Sequence, residues 1–304
     1  MHRGNTATNA FTLIELSIVL VIIGLIVGGV LVGKDLIRAA AVRAQISQIE
    51  RYQAAANTFK GKFSYLPGDI KDPEASSFGF AVRGAYAGQG DGNGSLEGNW
   101  TNIAQYNRIA FVSGENAMFW VDLSQARLIG ESFNKATSVW SGTPSASPAD
   151  YMPEAKIGGG NYVIAYSDSY DNGTTYGSLG VNYFGLQTIT FIDDHGDLSA
   201  TPTFALSVQQ AFSIDKKVDD GFPQSGTVKA QYAGRNLAPS PVYGGPWASG
   251  TSSVGVDGPS DNSATAGSPT TCYDNTNTAG AMQQYSVGQK NGAGFNCALR
   301  FQFQ

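Results

Sequence analysis

The sequence predicts an α+β fold, a long N-terminal α-helix laid on an antiparallel β-sheet head with long loops, and three patterns predict it. First, residues 10–33 form an apolar run of membrane length, and behind it Val42, Ile46, Ile49, Tyr52, Ala56, Phe59 and Phe63 recur at steps of three or four. Second, the period switches to two farther on. Tyr162, Ile164 and Tyr166 alternate, residues 186–192 alternate, and Leu299, Phe301 and Phe303 alternate with Arg300, Gln302 and Gln304. Third, glycine occurs 38 times and only 14% of residues are charged, a composition that suits a turn-rich extracytoplasmic chain better than a cytosolic enzyme.

Taken in order, residues 1–10 are a short polar leader carrying His2 and Arg3. The span follows: roughly 18 residues from Leu16 to Gly33, at about 1.5 Å each, cover most of a hydrocarbon core about 30 Å thick. A secretory signal peptide has an apolar core of roughly 7 to 15 residues, and this one is longer and leads straight into a charged helix. Glu15 stands near its start. A charge within a span costs about 2.5 to 3.5 kcal/mol, whereas an acid in the first turn of a helix gains roughly 0.3 to 1 kcal/mol, so Glu15 is either a functional group or an interfacial one. Gly24, Gly28, Gly29 and Gly33 let helices approach closely and also soften the helix. Residues 34–62 continue as an amphipathic helix with Arg43, Glu50, Arg51, Asn57 and Lys60 between the apolar positions, so one helix is predicted over about residues 11–60.

Leu66-Pro67-Gly68-Asp69 ends that helix, and a glycine-rich loop covers residues 84–98. Residues 115–129 have helical spacing in Phe119, Leu123, Ala126 and Leu128. The strands come next, with Asp193-Asp194-His195-Gly196-Asp197 as a turn. Residues 233–271 contain few large apolar side chains and read as a long loop, with Tyr243 and Trp247 as anchors on the head.

The segment Phe11-Thr12-Leu13-Ile14-Glu15-Leu16, behind its polar leader, resembles the class III signal of type IV prepilins and type II secretion pseudopilins. The resemblance implies a pilin-like fold, cleavage between Ala10 and Phe11 by a prepilin peptidase, and methylation of the new Phe11 amine. It also implies that Glu15 pairs with the amine of a neighbouring subunit. Other pilin or pseudopilin subunits, an inner-membrane assembly platform and membrane lipid are the implied partners. The expected location is the inner membrane, single-pass, with the head in the periplasm, and an extracytoplasmic filament after assembly. The chain departs from the pattern in having Ala10 where the family usually has Gly, and in having no proline in the helix. Charge counting alone points the other way, because Lys34, Arg38 and Arg43 follow the span. The leader motif outweighs it. Cys272 and Cys297, the only cysteines, would pair in an oxidising compartment and close a loop worth roughly 3 to 4 kcal/mol, and the resemblance implies the same C-terminal staple.

A net charge of -5 offers no basic face for nucleic acid. After leader removal His195 is the one histidine, and no Gly-x-Ser-x-Gly, His-Glu-x-x-His or phosphate loop occurs, so catalysis is not expected. Two acidic loops suit calcium, which takes six to eight oxygen ligands. One has Asp91, Asn93 and Ser95 at alternate positions but places Leu96 and Asn102 where a calcium loop needs Gly and an acid; the other has Asp215, Asp219 and Asp220. A plain turn is the simpler reading of each, with structural calcium as the alternative. Function is thus expected to be assembly as a pilin or pseudopilin subunit; a membrane-tethered or filament-tip adhesion module using the 233–271 loop is the alternative.

Overall fold

The computed structural model describes residues 13–99, 107–108, 112–140, 147–167, 170–171, 175–176, 181–192, 198–199, 206–232, 272–274, 282–288 and 295–304. Ala10, Phe11, Asn102, His195 and the 233–271 segment lie outside them. Four α-helices are described: α1 Leu13–Phe63, α2 Glu74–Ser77, α3 Glu115–Gln125 and α4 Val208–Val218. The main sheet is formed by β1 Asn161–Ser167, β2 Asn182–Thr188, β3 Leu206–Ser207, β4 Val228–Tyr232 and β5 Phe295–Gln302. The fold is therefore α+β.

At 51 residues, α1 is about 77 Å long without interruption. Its first half lies outside the head's core. From Leu13 to Ile37 the exposed large apolar side chains run from 50% to 88% exposure, so none of them belongs to the head's core. Burial begins at Val42 and follows one stripe through Ile49, Tyr52, Ala56, Phe59 and Phe63. Ile46, expected within that stripe, is only partly buried, while Gln45 and Gln48 are fully inside it.

The sheet runs β4-β5-β2-β1, all antiparallel, with β3 pairing against the start of β5. Its register explains its core face. Val163, Leu186, Leu299 and Ala230 form one cross-strand row, and Ala165, Phe184, Phe301 and Val228 the next. Every one of these is buried, because a period of two places them all on one face. That face meets the helices through Phe184, whose ring lies 6.3 Å from Tyr52 of α1 and 5.8 Å from Phe119 of α3. Each buried aromatic contributes roughly 1.5 to 3 kcal/mol of transfer free energy.

Three expectations need correction. The helix predicted over residues 115–129 ends at Gln125, because Arg127 takes a left-handed conformation at φ 56° and stops it. The strand expected over 186–192 instead spans Asn182–Thr188, and Phe191–Ile192 pairs separately with Leu198–Ser199. The whole of α4 was not predicted. Its signal was Ser207, whose hydroxyl accepts the Gln210 N–H while the Gln210 side chain accepts the Ser207 N–H. Lys216 and Lys217 complement its C-terminal end. The disulfide joins Cys272 to Cys297 and so ties the 272–274 segment to the central strand β5.

Candidate functional site

The long apolar half of α1 is the first candidate. It is the one helix, among the described residues, long and apolar enough to cross a membrane, and none of its most apolar stretch is buried in the head. Glu15 lies in its first turn, where the helix's unpaired N–H groups favour an acid. Among the described residues, none of the head comes within 4 Å of where a Cβ would stand at Gly24, Gly28, Gly29 or Gly33, so these glycines present bare backbone outward. Beyond the span, the outer face of α1 stays exposed at Ala44, Ser47, Ala54, Thr58 and Gly61, small residues that would permit another helix to approach, with Arg43, Glu50 and Arg51 beside them.

A second candidate lies where two loops meet the start of α3. Gly68 holds φ at 85°, and a Cβ there would overlap the Glu115 carbonyl oxygen, so only glycine lets this turn close on the helix. The closure brings Asp69 beside Glu115. One carboxylate oxygen each from Asp69, Asp91 and Glu115 lie within 4.8 Å of one another. Asp69 accepts the N–H groups of Gly92 at 2.8 Å and Gly94 at 2.9 Å. Glu115 accepts those of Gly90 at 2.9 Å, Asp91 at 3.3 Å and Glu97 at 3.0 Å. Asn93 braces the loop, donating to Asp91 at 3.2 Å while its Oδ1 accepts the Ser95 N–H at 2.7 Å.

The electrostatics follow from burial. Desolvation, with the Asp91 charge adding to it, raises Asp69 to about 7 against its backbone hydrogen bonds. Glu115, fully buried, is held well above the usual carboxylate range by desolvation and then by Asp69, Asp91 and Glu97. Burial also raises Asp91. The neighbouring guanidinium of Arg83 is directed elsewhere, to both carboxylate oxygens of the buried Asp122 at 2.6 Å. The donor set is entirely oxygen, which suits a hard cation such as calcium. Sequence reading singled out Asp91 and missed Asp69 and Glu115; the signal was Pro67-Gly68-Asp69, read only as a helix stop.

The third cluster, Asp215, Asp219 and Asp220, also falls within 4.8 Å. Its oxygens close a turn. Asp215 accepts the Tyr285 hydroxyl at 2.6 Å and the Gly221 N–H at 3.1 Å. Asp219 accepts the N–H groups of Thr227 and Val228. Asp220 accepts the Ser225 hydroxyl at 2.6 Å and the Phe222 N–H at 2.8 Å. Burial raises Asp215 to about 6, whereas the Ser225 and Phe222 hydrogen bonds lower Asp220. With Asp219 and Asp220 toward solvent, this cluster is wetter than the first.

A polar ladder inside α1 completes the inventory. Gln48 donates to the Glu154 carbonyl at 2.8 Å and accepts the Lys156 N–H at 2.9 Å, Gln45 accepts the Ile157 N–H at 3.0 Å, and Tyr52 donates to Glu131 at 3.0 Å. These bonds peg the head's loops to the helix. Searched against protein-family models, curated proteins and solved structures, the chain matches none of them.

Proposed function

We propose that the chain is a pilin or pseudopilin subunit, cleaved before Phe11, held in the inner membrane by residues 11–33 and assembled through α1 into a type IV pilus or a type II secretion pseudopilus. The observation that carries the reading is the division of α1. One unbroken helix is bare and apolar over its first half and welded to a folded head over its second. Such a helix presents its apolar half to lipid first and to like helices later, while the head stays outside. Glu15 supplies the register: an acid in lipid is costly alone, and a neighbour's amine relieves that cost. A pair of this kind specifies alignment more than it adds stability.

The reading gives the Asp69, Asp91, Glu97 and Glu115 loops a structural part. Calcium held by Asp69, Asp91 and Glu115 would compensate the buried charge and fix the loops on α3.

The test is the mature terminus. N-terminal sequencing and intact mass of membrane-extracted protein are expected to show an N-methylated Phe11. A terminus at Met1, or one beyond the span, overturns the reading and leaves a plain anchor or a secreted head.

A further inference from the structure

The head carries a cavity of about 330 Å³ beside α1, walled by Glu131 and Phe133 from the segment after α3 and by Met152, Pro153, Glu154 and Lys156 from the turn before β1. The volume is at the small end for ligand sites and suits one long side chain. Two carboxylates oppose one ammonium, leaving the cavity net negative, with Phe133, Met152 and Pro153 as apolar parts of its wall. That is the complement of a cationic head on an aliphatic stem.

The polar ladder fixes its position. Tyr52 donates to Glu131 and Gln48 to the Glu154 carbonyl, so the cavity lies level with residues 48–52 of α1. Arg43 is exposed and has no ion pair among the described residues. Nine positions from Tyr52 at about 100° per residue, it projects from the opposite side of the helix. It therefore faces away from its own cavity.

We infer that the cavity receives Arg43 of a second copy of this chain. The inference rests on the membrane-spanning part of the reading above: two copies anchored by the same span stand parallel and at the same height. Arg43 then lies five residues, about 7.5 Å along the axis, below Gln48 of its neighbour, a distance an extended arginine spans. Because donor and cavity occupy opposite sides of one subunit, the contact is head-to-tail. It does not close on a dimer, and repetition yields an open array.

The chain's two cysteines are joined to each other, so introduced cysteines report cleanly. Full-length protein carrying Ser47→Cys, one turn from Arg43, and Ala149→Cys at the cavity wall, with Arg43, Glu131 and Glu154 intact, in membranes free of assembled filaments, is treated with a short bifunctional maleimide. The expected result is a ladder of dimers, trimers and higher species, with at least tenfold less product when Ala149→Cys is replaced by Lys217→Cys. Monomer alone, or dimer without higher species, overturns the proposal. A charge swap provides the second reading. Arg43→Glu is expected to cut co-purification of two differently tagged copies at least tenfold, and Glu131→Arg with Glu154→Arg to restore it; no restoration overturns the contact. Either failure leaves cleavage at Phe11 and filament incorporation unaffected, so it is distinguishable from failure of the assembly reading.

Discussion

The two halves of α1 share one backbone and differ in what they face. In the second half, a narrow stripe from Val42 to Phe63 is buried and the rest is polar or small; in the first, large apolar residues point in every direction and none is buried by the head. A soluble protein does not leave so much contiguous apolar surface uncovered. The contrast assigns the two halves to different solvents and different energetic rules. Packing against rings such as Trp120, whose centroid is 4.9 Å from that of Tyr52, anchors the second half. For the first half, lipid or other helices must supply the environment.

The largest effect that would break this comparison is on packing. Phe59→Ala deletes a fully buried ring within an aromatic cluster, and is expected to cost about 3 to 5 kcal/mol in denaturant unfolding of detergent-solubilised protein. Val21→Ala, in the bare half, should change the same quantity by less than about 0.5 kcal/mol. Equal losses would mean that the two halves are not energetically separate.

Next in size is the response to calcium, expected in the head and not in the span. Burial raises Asp69 to about 7 and holds Glu115 above its usual range, so the folded cluster keeps protons that the unfolded chain releases. Without a divalent cation, this cluster's contribution to stability is therefore greatest at low pH and declines as pH rises from about 4 to about 7. Calcium favours the ionised carboxylates. At a hundredfold excess over its Kd it should add about 2.7 kcal/mol at pH 7.5 and flatten that decline. Thermal melts with calcium or chelator, repeated for Asp69→Asn, check both; an unchanged calcium response in the variant would remove Asp69 from the site.

Smaller still is the ladder that joins helix to loops. Gln48→Ala leaves the Glu154 carbonyl and the Lys156 N–H without their partner, and should cost about 1 to 2 kcal/mol in the same unfolding assay, with membrane insertion unchanged.

Much of this architecture was legible because periodicity is local. The span, the amphipathic stripe and the alternation in β1 and β5 need only neighbouring residues to be read. What was not legible depends on distant chain. Gln45 and Gln48 look like surface residues until loop 154–157 arrives to bond with them. Asp69 looks like punctuation until Gly68 closes on Glu115. The helix α4 is the exception, since Val208, Ala211 and Ile214 at steps of three and the Ser207 capping box are local signals that were there to be read. The candidate site divided in the same way. Asp91 was visible from its loop, its two buried companions were not, and the 215–220 acids proved to be tied largely into their own turn.

The central claim is that the bare half of α1 is an assembly element and not only an anchor, and Glu15→Gln tests it most directly. The substitution nearly preserves size and removes the charge, so an anchor should insert as well or better. An assembly subunit should lose a charge-assisted contact of about 1.5 to 3 kcal/mol, or roughly ten- to hundredfold in incorporation. Filament incorporation is measured relative to membrane abundance. The account predicts normal membrane levels and cleavage with at least a tenfold fall in incorporation; incorporation at the wild-type level would contradict it.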